Sequence, residues 1–162
     1  MNTQRTAPEG RKNLMPQTYT KLVYHVVFGT KDWRPYIDPD IQEDLHAYLG
    51  GIIRELGGSP NIVNGIEDHV HILMALPPTI SLSDAVRTIK TNSSRWIHER
   101  WPTRGDFGWQ TGYSSFSVSQ SSIDDVTQYI AKQEEHHRKL SFDNEFRTLL
   151  EKHQIEYDPK YV

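Results

Sequence analysis

The chain has 162 residues, 36% hydrophobic and 24% charged, with a net charge of −3 and no cysteine. That length and composition suit one compact globular domain, and the missing cysteine excludes disulfides, thiolate metal sites and a cysteine nucleophile. No apolar stretch approaches the ~20 residues of a membrane span. The N-terminus, MNTQRTAPEGRKNLMPQ, lacks the apolar segment of a signal peptide, so a cytoplasmic protein with no membrane contact is expected.

Residues 1–18 read as a flexible N-terminal arm. TYTKLVYHVVFGTK (18–31) is β-rich, with Leu22, Tyr24, Val26 and Phe28 alternating against Val23, His25 and Val27. Asp38 then Pro39 starts a helix, as N-cap and first helical residue. Ile41, Leu45, Leu49, Ile52, Ile53 and Leu56 follow at helical spacing, and Gly57-Gly58 ends the run. NIVNGI (61–66) and HVHILMAL (69–76), joined by Glu67-Asp68, predict an antiparallel hairpin that Pro77-Pro78 stops.

Ser81 with Asp84 resembles a capping box for a helix running to about Arg100. PTRGDFGWQTGY (102–113) is a loop, and SSFSVS (114–119) a further strand. Ser122 and Asp125 cap a helix over SIDDVTQYIAKQEEHHRKL, with Ile123, Val126 and Ile130 on its buried side. SFDNEFRTLLEKHQIEYDPKYV (141–162) reads as a C-terminal helix and tail. The order β α β β α β α, with an antiparallel hairpin, predicts an α+β, ferredoxin-like fold: an antiparallel sheet with helices packed on it.

Net charge argues mildly against a nucleic-acid binder, but charge placement matters more than the average. Arg87, Lys90, Arg95, Arg100 and Arg104 stand against Glu99 alone between residues 87 and 104. That stretch is a basic patch or a solvated helix face.

GIEDHVHILMALP (65–77) sets His69 and His71 inside an apolar run. Residues i and i+2 of a strand share a face, with side chains starting about 6.5–7 Å apart. Two imidazoles there can converge on one divalent ion while Val70, Ile72 and Met74 face the core. Alone, such a pair is more often two half-exposed strand residues, and a metal site needs further ligands. Tyr129 and Gln133, at i and i+4, share a helical face with His136 and His137 one turn on. Gln133 offers a hard oxygen suited to Mg²⁺ or Mn²⁺. A phenolate at Tyr129 beside a metal-held phosphate can attack phosphorus. The plain alternatives are a core tyrosine and a solvated Gln133.

His69-Val70-His71, followed about sixty residues later by a Tyr129-x-x-x-Gln133 frame, resembles the single-tyrosine HUH transposases. These small insertion-sequence transposases move elements as single-stranded DNA. The entry strand YHVVFGTKDWRP, the DHVHIL segment and WQTGYSSFSVS strengthen the resemblance, which spans residues 19–140. It implies a ferredoxin-like HUH domain with Tyr129 as nucleophile, forming a 5′-phosphotyrosine and freeing a 3′-hydroxyl. His69, His71 and Gln133 would bind Mg²⁺ or Mn²⁺. The substrate would be single-stranded DNA with hairpins at element ends. The protein would be a homodimer whose tyrosine helices complete each other's histidine sites.

With that resemblance, Arg87, Lys90 and Arg95 become candidate hairpin-phosphate contacts, and His137 a possible further site residue. Trp109 is expected to pack rather than stack on a base, and His25 to be only a strand residue. The C-terminal segment could brace the tyrosine helix or a dimer, or fold over DNA. The competing functions are a domesticated hairpin-DNA-binding protein without transposition and a metal hydrolase that activates water.

Overall fold

The computed structural model describes residues 18–162, so the expected N-terminal arm lies, apart from Thr18, outside them. Strand β1 (Leu22–Gly29) leads to helix α1 (Pro39–Glu55), the hairpin β2 (Ser59–Ile66) and β3 (His69–Leu76), then α2 (Leu82–Arg100) and β4 (Ser114–Ser117). Three helices follow: α3 (Ile123–Ala131), α4 (Gln133–His137) and α5 (Phe142–Lys152). The four strands form one antiparallel sheet in the order β2-β3-β1-β4, the ferredoxin-like arrangement expected.

The caps read from the sequence largely hold. The Asp38 side chain accepts from Asp40 N, and that of Ser81 from Asp84 N. Gly57 takes φ +78°, and Gly58 N donates to Ile53 O at 3.0 Å, closing α1 with the left-handed glycine such an ending needs. Ser122 does not cap: it sits at φ −101°, ψ −1° with no side-chain bond to the helix.

The tyrosine helix expected to run unbroken to about Leu140 is interrupted at Lys132, at φ −98°, ψ 22°. Its neighbour on the sheet explains the break. Asn64 Nδ2, on β2, donates to the carbonyls of Ile130 at 2.9 Å and Ala131 at 3.4 Å, the acceptors a continuing helix would use for itself. The chain turns there, and Gln133 becomes fully buried between exposed Lys132 and Glu134.

Helices cover both sheet faces. On one, Val26, Phe28, Val70, Ile72 and Met74 pack against the apolar stripes of α1 and α2. Each fully buried aliphatic side chain there contributes about 1.5–3 kcal/mol. On the other, Val23 and Leu73 meet Ile123 and Ile130 of α3, while Val27 and Phe116 meet Phe142, Leu149 and Leu150 of α5. The C-terminal helix is therefore part of the second helical layer. Trp109 packs as expected, edge-on to Phe28 and Phe107, with Nε1 donating to Ser93 Oγ at 2.9 Å. Among the described residues no helix is long and apolar enough to cross a membrane.

Candidate functional site

Strand alternation puts His69, His71 and Leu73 of β3 on the second face, beside His25 of β1. The hairpin fixes their height. At Gly65, opposite Val70, any Cβ would overlap the His69 carbonyl oxygen, so only glycine lets the strands close. Both histidines are completely buried, not half-exposed.

Each has its Nδ1 tied and its Nε2 presented inward. His69 Nδ1 lies 2.6 Å from Asp68 Oδ1, and His69 Nε2 faces Gln133 Oε1 at 3.4 Å. His71 Nδ1 lies 2.9 Å from His25 Nε2, and His71 Nε2 is buried with no hydrogen-bond partner. Burial lowers the pKa of His71 to about 4 and, with His71 beside it, that of His25 to about 3. Both rings are neutral near pH 7, the form that coordinates metals.

Facing this pair is a carboxylate the sequence reading missed. Glu145 of α5 is 3% exposed, a burial acidic side chains rarely accept unless paired. Its oxygens lie 3.8 Å from His69 Nε2 and 3.6 Å from His71 Nε2. His137 Nε2 is 2.6 Å from Glu145 Oε2, and Gln133 Nε2 donates to Glu145 Oε1 at 3.0 Å. Burial opposes ionisation of Glu145, but His137 and His71 hold its carboxyl well below the usual range. Burial would also lower His137, yet the Glu145 carboxylate overrides this and raises it.

Tyr129 completes the group from α3. Its hydroxyl donates to Glu145 Oε1, and its ring stands edge-on to His71 with centroids 5.9 Å apart. Burial, then the Glu145 hydrogen bond, pushes the phenol well above its ordinary pKa, so it is firmly protonated here. Tyr129, His69 and His71 meet within a single chain. Beside Tyr129 a cleft of about 650 Å³ opens between β4, α3 and α5, walled by Phe116, Val118, His136, Leu149 and His153.

The donor set fits a divalent cation. One buried imidazole nitrogen has no partner, a second faces an amide oxygen, and one ligand atom from each of His69, His71 and Glu145 falls within 4.8 Å of the others. Mixed imidazole and hard oxygen donors suit Mn²⁺ or Mg²⁺. The site residues named from sequence thus converge: Tyr129, His69, His71 and Gln133, with His137 at their edge.

The three α2 residues named as candidate phosphate contacts lie elsewhere. Arg87 is exposed and paired with Asp84 at 2.6 Å, and Arg95 is exposed near Asn92. Lys90 is committed: Nζ donates to the carbonyls of Gln110 at 2.5 Å and Gly112 at 2.7 Å, and stands 5.4 Å over the Phe28 ring.

Asp68, Glu145 and His25 were the residues that sequence reasoning left without a role. Glu145 carried a signal. It falls on the apolar stripe Phe142, Phe146, Leu149, Leu150 of its helix, where an acid implies a buried partner.

An antiparallel sheet presenting a His-x-His pair to a tyrosine-bearing helix defines the class of single-tyrosine HUH transposases. Residues 18–133 match the sequence profile described as "Transposase IS200 like", and the chain belongs to that family. It is 24% identical over 118 residues to the ISDra2 transposase TnpA of Deinococcus radiodurans, covering 70% of this chain and 84% of that protein. It is 25% identical over 127 residues to the transposase for insertion sequence element IS200 of Salmonella typhimurium, covering 76% and 79%. Two solved structures share the fold. A crystal structure described as a transposase from Deinococcus radiodurans superposes with TM-score 0.60 at 24% identity, covering 78% of this chain and 98% of that one. A REP-associated tyrosine transposase bound to a REP hairpin superposes with TM-score 0.53 at 14% identity, covering 77% and 72%.

Proposed function

We propose that this transposase cleaves and rejoins single-stranded DNA through a 5′-phosphotyrosine on Tyr129. A divalent cation would be held by His69, His71 and the oxygens of Gln133 and Glu145. The observation that carries this reading is the convergence of a phenol, two imidazoles and two oxygen donors on one buried point. Mg²⁺ or Mn²⁺ bound there would supply the positive charge that polarises a scissile phosphate.

The chain's own residues do the rest. The Tyr129 oxygen bonds to phosphorus, the P–O3′ bond breaks, and the departing oxygen takes up a proton as a free 3′-hydroxyl. Glu145 already accepts the phenolic hydrogen and stands where that proton leaves. Attack of a 3′-hydroxyl on the phosphotyrosine reverses the exchange, so rejoining consumes no ATP. The cleft beside Tyr129 gives the flanking nucleotide an apolar wall and the imidazoles of His136 and His153.

The hairpin in the REP-associated relative supports hairpin-bearing single-stranded DNA as the substrate here. Of the three α2 candidates, Arg87 and Arg95 are the ones exposed to meet its phosphates, since Lys90 holds the 110–112 loop.

Within one chain Tyr129 rests beside its own histidines, an arrangement in which each chain builds its own site. The shared-site homodimer implied by the resemblance makes the opposite prediction for a mixture of two inactive variants. Tyr129→Phe mixed with His71→Ala stays inactive if each chain builds its own site, and regains activity if sites are shared. The basic test uses single-stranded hairpin oligonucleotides with randomised flanks, Mn²⁺ and a denaturing gel. A covalent adduct lost in Tyr129→Phe is expected. Cleavage that survives Tyr129→Phe would instead indicate water-activating hydrolysis, and binding without cleavage a hairpin-binding protein.

A further inference from the structure

His25 sits on β1, one strand over from the histidine pair, and nothing in the proposed reaction uses it. It is 3% exposed, so its ring is a buried polar group that needs a reason. The register gives one. His25 pairs with Leu73 and His71 with Val27, so the two imidazoles are diagonal neighbours on one sheet face. Their rings stack at 5.1 Å with planes 27° apart, and His25 Nε2 meets His71 Nδ1 at 2.9 Å. Phe116 and Tyr129 flank His25, with ring centroids at 5.8 and 6.1 Å. The ring is therefore clamped in place.

The two site histidines are supported in the same pattern by different groups. Asp68 Oδ1 holds His69 Nδ1 at 2.6 Å, and His25 Nε2 holds His71 Nδ1. In both, the far nitrogen is left facing the carboxylate of Glu145. A neutral imidazole carries one N–H. If His71 Nε2 offers its lone pair, its hydrogen is on Nδ1 and must be donated. Among the described residues His25 Nε2 is the acceptor that the structure places there.

We propose that His25 is the positioning residue for His71. Its Nε2 accepts the Nδ1–H of His71, which fixes the tautomer and ring angle that leave His71 Nε2 free for the cation. This rests on the metal reading of the site given above. Outer partners of this kind typically change metal affinity about 10–100-fold when removed.

The test is Mn²⁺ binding by the full chain without DNA, read by the loss of free-ion EPR signal. Three proteins are compared: wild type, His25→Phe, and His25→Gln, whose amide oxygen replaces the acceptor. Circular dichroism and thermal unfolding check that each is folded. We expect His25→Phe to weaken Mn²⁺ binding about 10–100-fold, and His25→Gln to recover most of that loss. A folded His25→Phe with wild-type affinity overturns the proposal, as does His25→Gln binding no better than His25→Phe. A wild type that binds no Mn²⁺ overturns the metal reading first and this inference with it. Should His25→Phe not fold, ¹⁵N NMR of the wild-type imidazoles decides the matter. His71 protonated on Nδ1 supports the assignment, and His71 protonated on Nε2 contradicts it.

Discussion

The two faces of the sheet use the same strands for opposite chemistry. Val26, Phe28, Val70, Ile72 and Met74 point toward α1 and α2 and form an apolar core. Their sequence neighbours His25, His69 and His71 point the other way, toward Tyr129, Gln133, His137 and Glu145. The first face needs only volume and burial, which many side chains provide. The second gathers six nitrogen- or oxygen-bearing groups about one carboxylate, which costs free energy unless each finds its partner. Both faces bury apolar side chains, but the chemistry sits on the second alone, and substitutions should separate the two roles.

Ile72→Ala on the apolar face should have the largest effect on folding, lowering stability by about 2–5 kcal/mol in urea titrations, with Mn²⁺ affinity nearly unchanged. Equal damage to both properties would mean that the faces are not separable. On the polar face, the buried histidines should set the response to acid. His71 is lowered to about 4 and His25 to about 3, from 6.5. The unfolded chain therefore takes up protons that the folded one refuses, and stability falls from about pH 6.5 to about pH 3. His137 is raised, so its contribution has the opposite sign: present below its unfolded value and lost as pH rises through its folded one. Below pH 6.5 the His137 contribution is constant, so the lowered groups set the slope there. Urea titrations across that window in chelator check this, and flat or rising stability on acidification would contradict it.

A finer probe of the same face is Glu145→Gln. Removing the carboxylate should bring the Tyr129 phenol down toward its ordinary pKa, because Glu145 helps hold it up. Ultraviolet titration of the phenolate, with Tyr129→Phe as the blank, measures the shift. An unmoved titration would mean that burial alone sets it. The smallest effect is expected far from both faces. Arg95→Ala should reduce the salt dependence of hairpin binding by about 0.7–0.9 in the log–log slope, the value of one phosphate contact. An unchanged slope would remove Arg95 from the DNA surface.

Much of this architecture was legible in the sequence because it depends on short-range rules. Alternation along 22–29 and 69–76, the Asp38-Pro39 and Ser81 caps, and the Gly57-Gly58 stop each specify a local structure that the fold keeps. The His69, His71, Tyr129 and Gln133 set was legible through spacing and resemblance. What stayed hidden depends on partners distant in sequence. The break at Lys132 is made by Asn64, 66 and 67 residues from the carbonyls it binds. The role of His25 comes from a strand pairing across 46 residues. Asp68 looked like turn material because a hairpin tip explains any Asp. Glu145 was hidden by its setting, a segment read as a C-terminal helix and tail beyond the 19–140 span of the resemblance.

The most direct measurement maps the covalent bond. The full chain is incubated with Mn²⁺ and hairpin-bearing single-stranded DNA, digested, and the nucleotide-bearing peptide sequenced by mass spectrometry. The account predicts one adduct, a 5′-phosphate ester on Tyr129, absent from His69→Ala and His71→Ala. An adduct on another side chain, or one formed at full yield without His69 and His71, would contradict it.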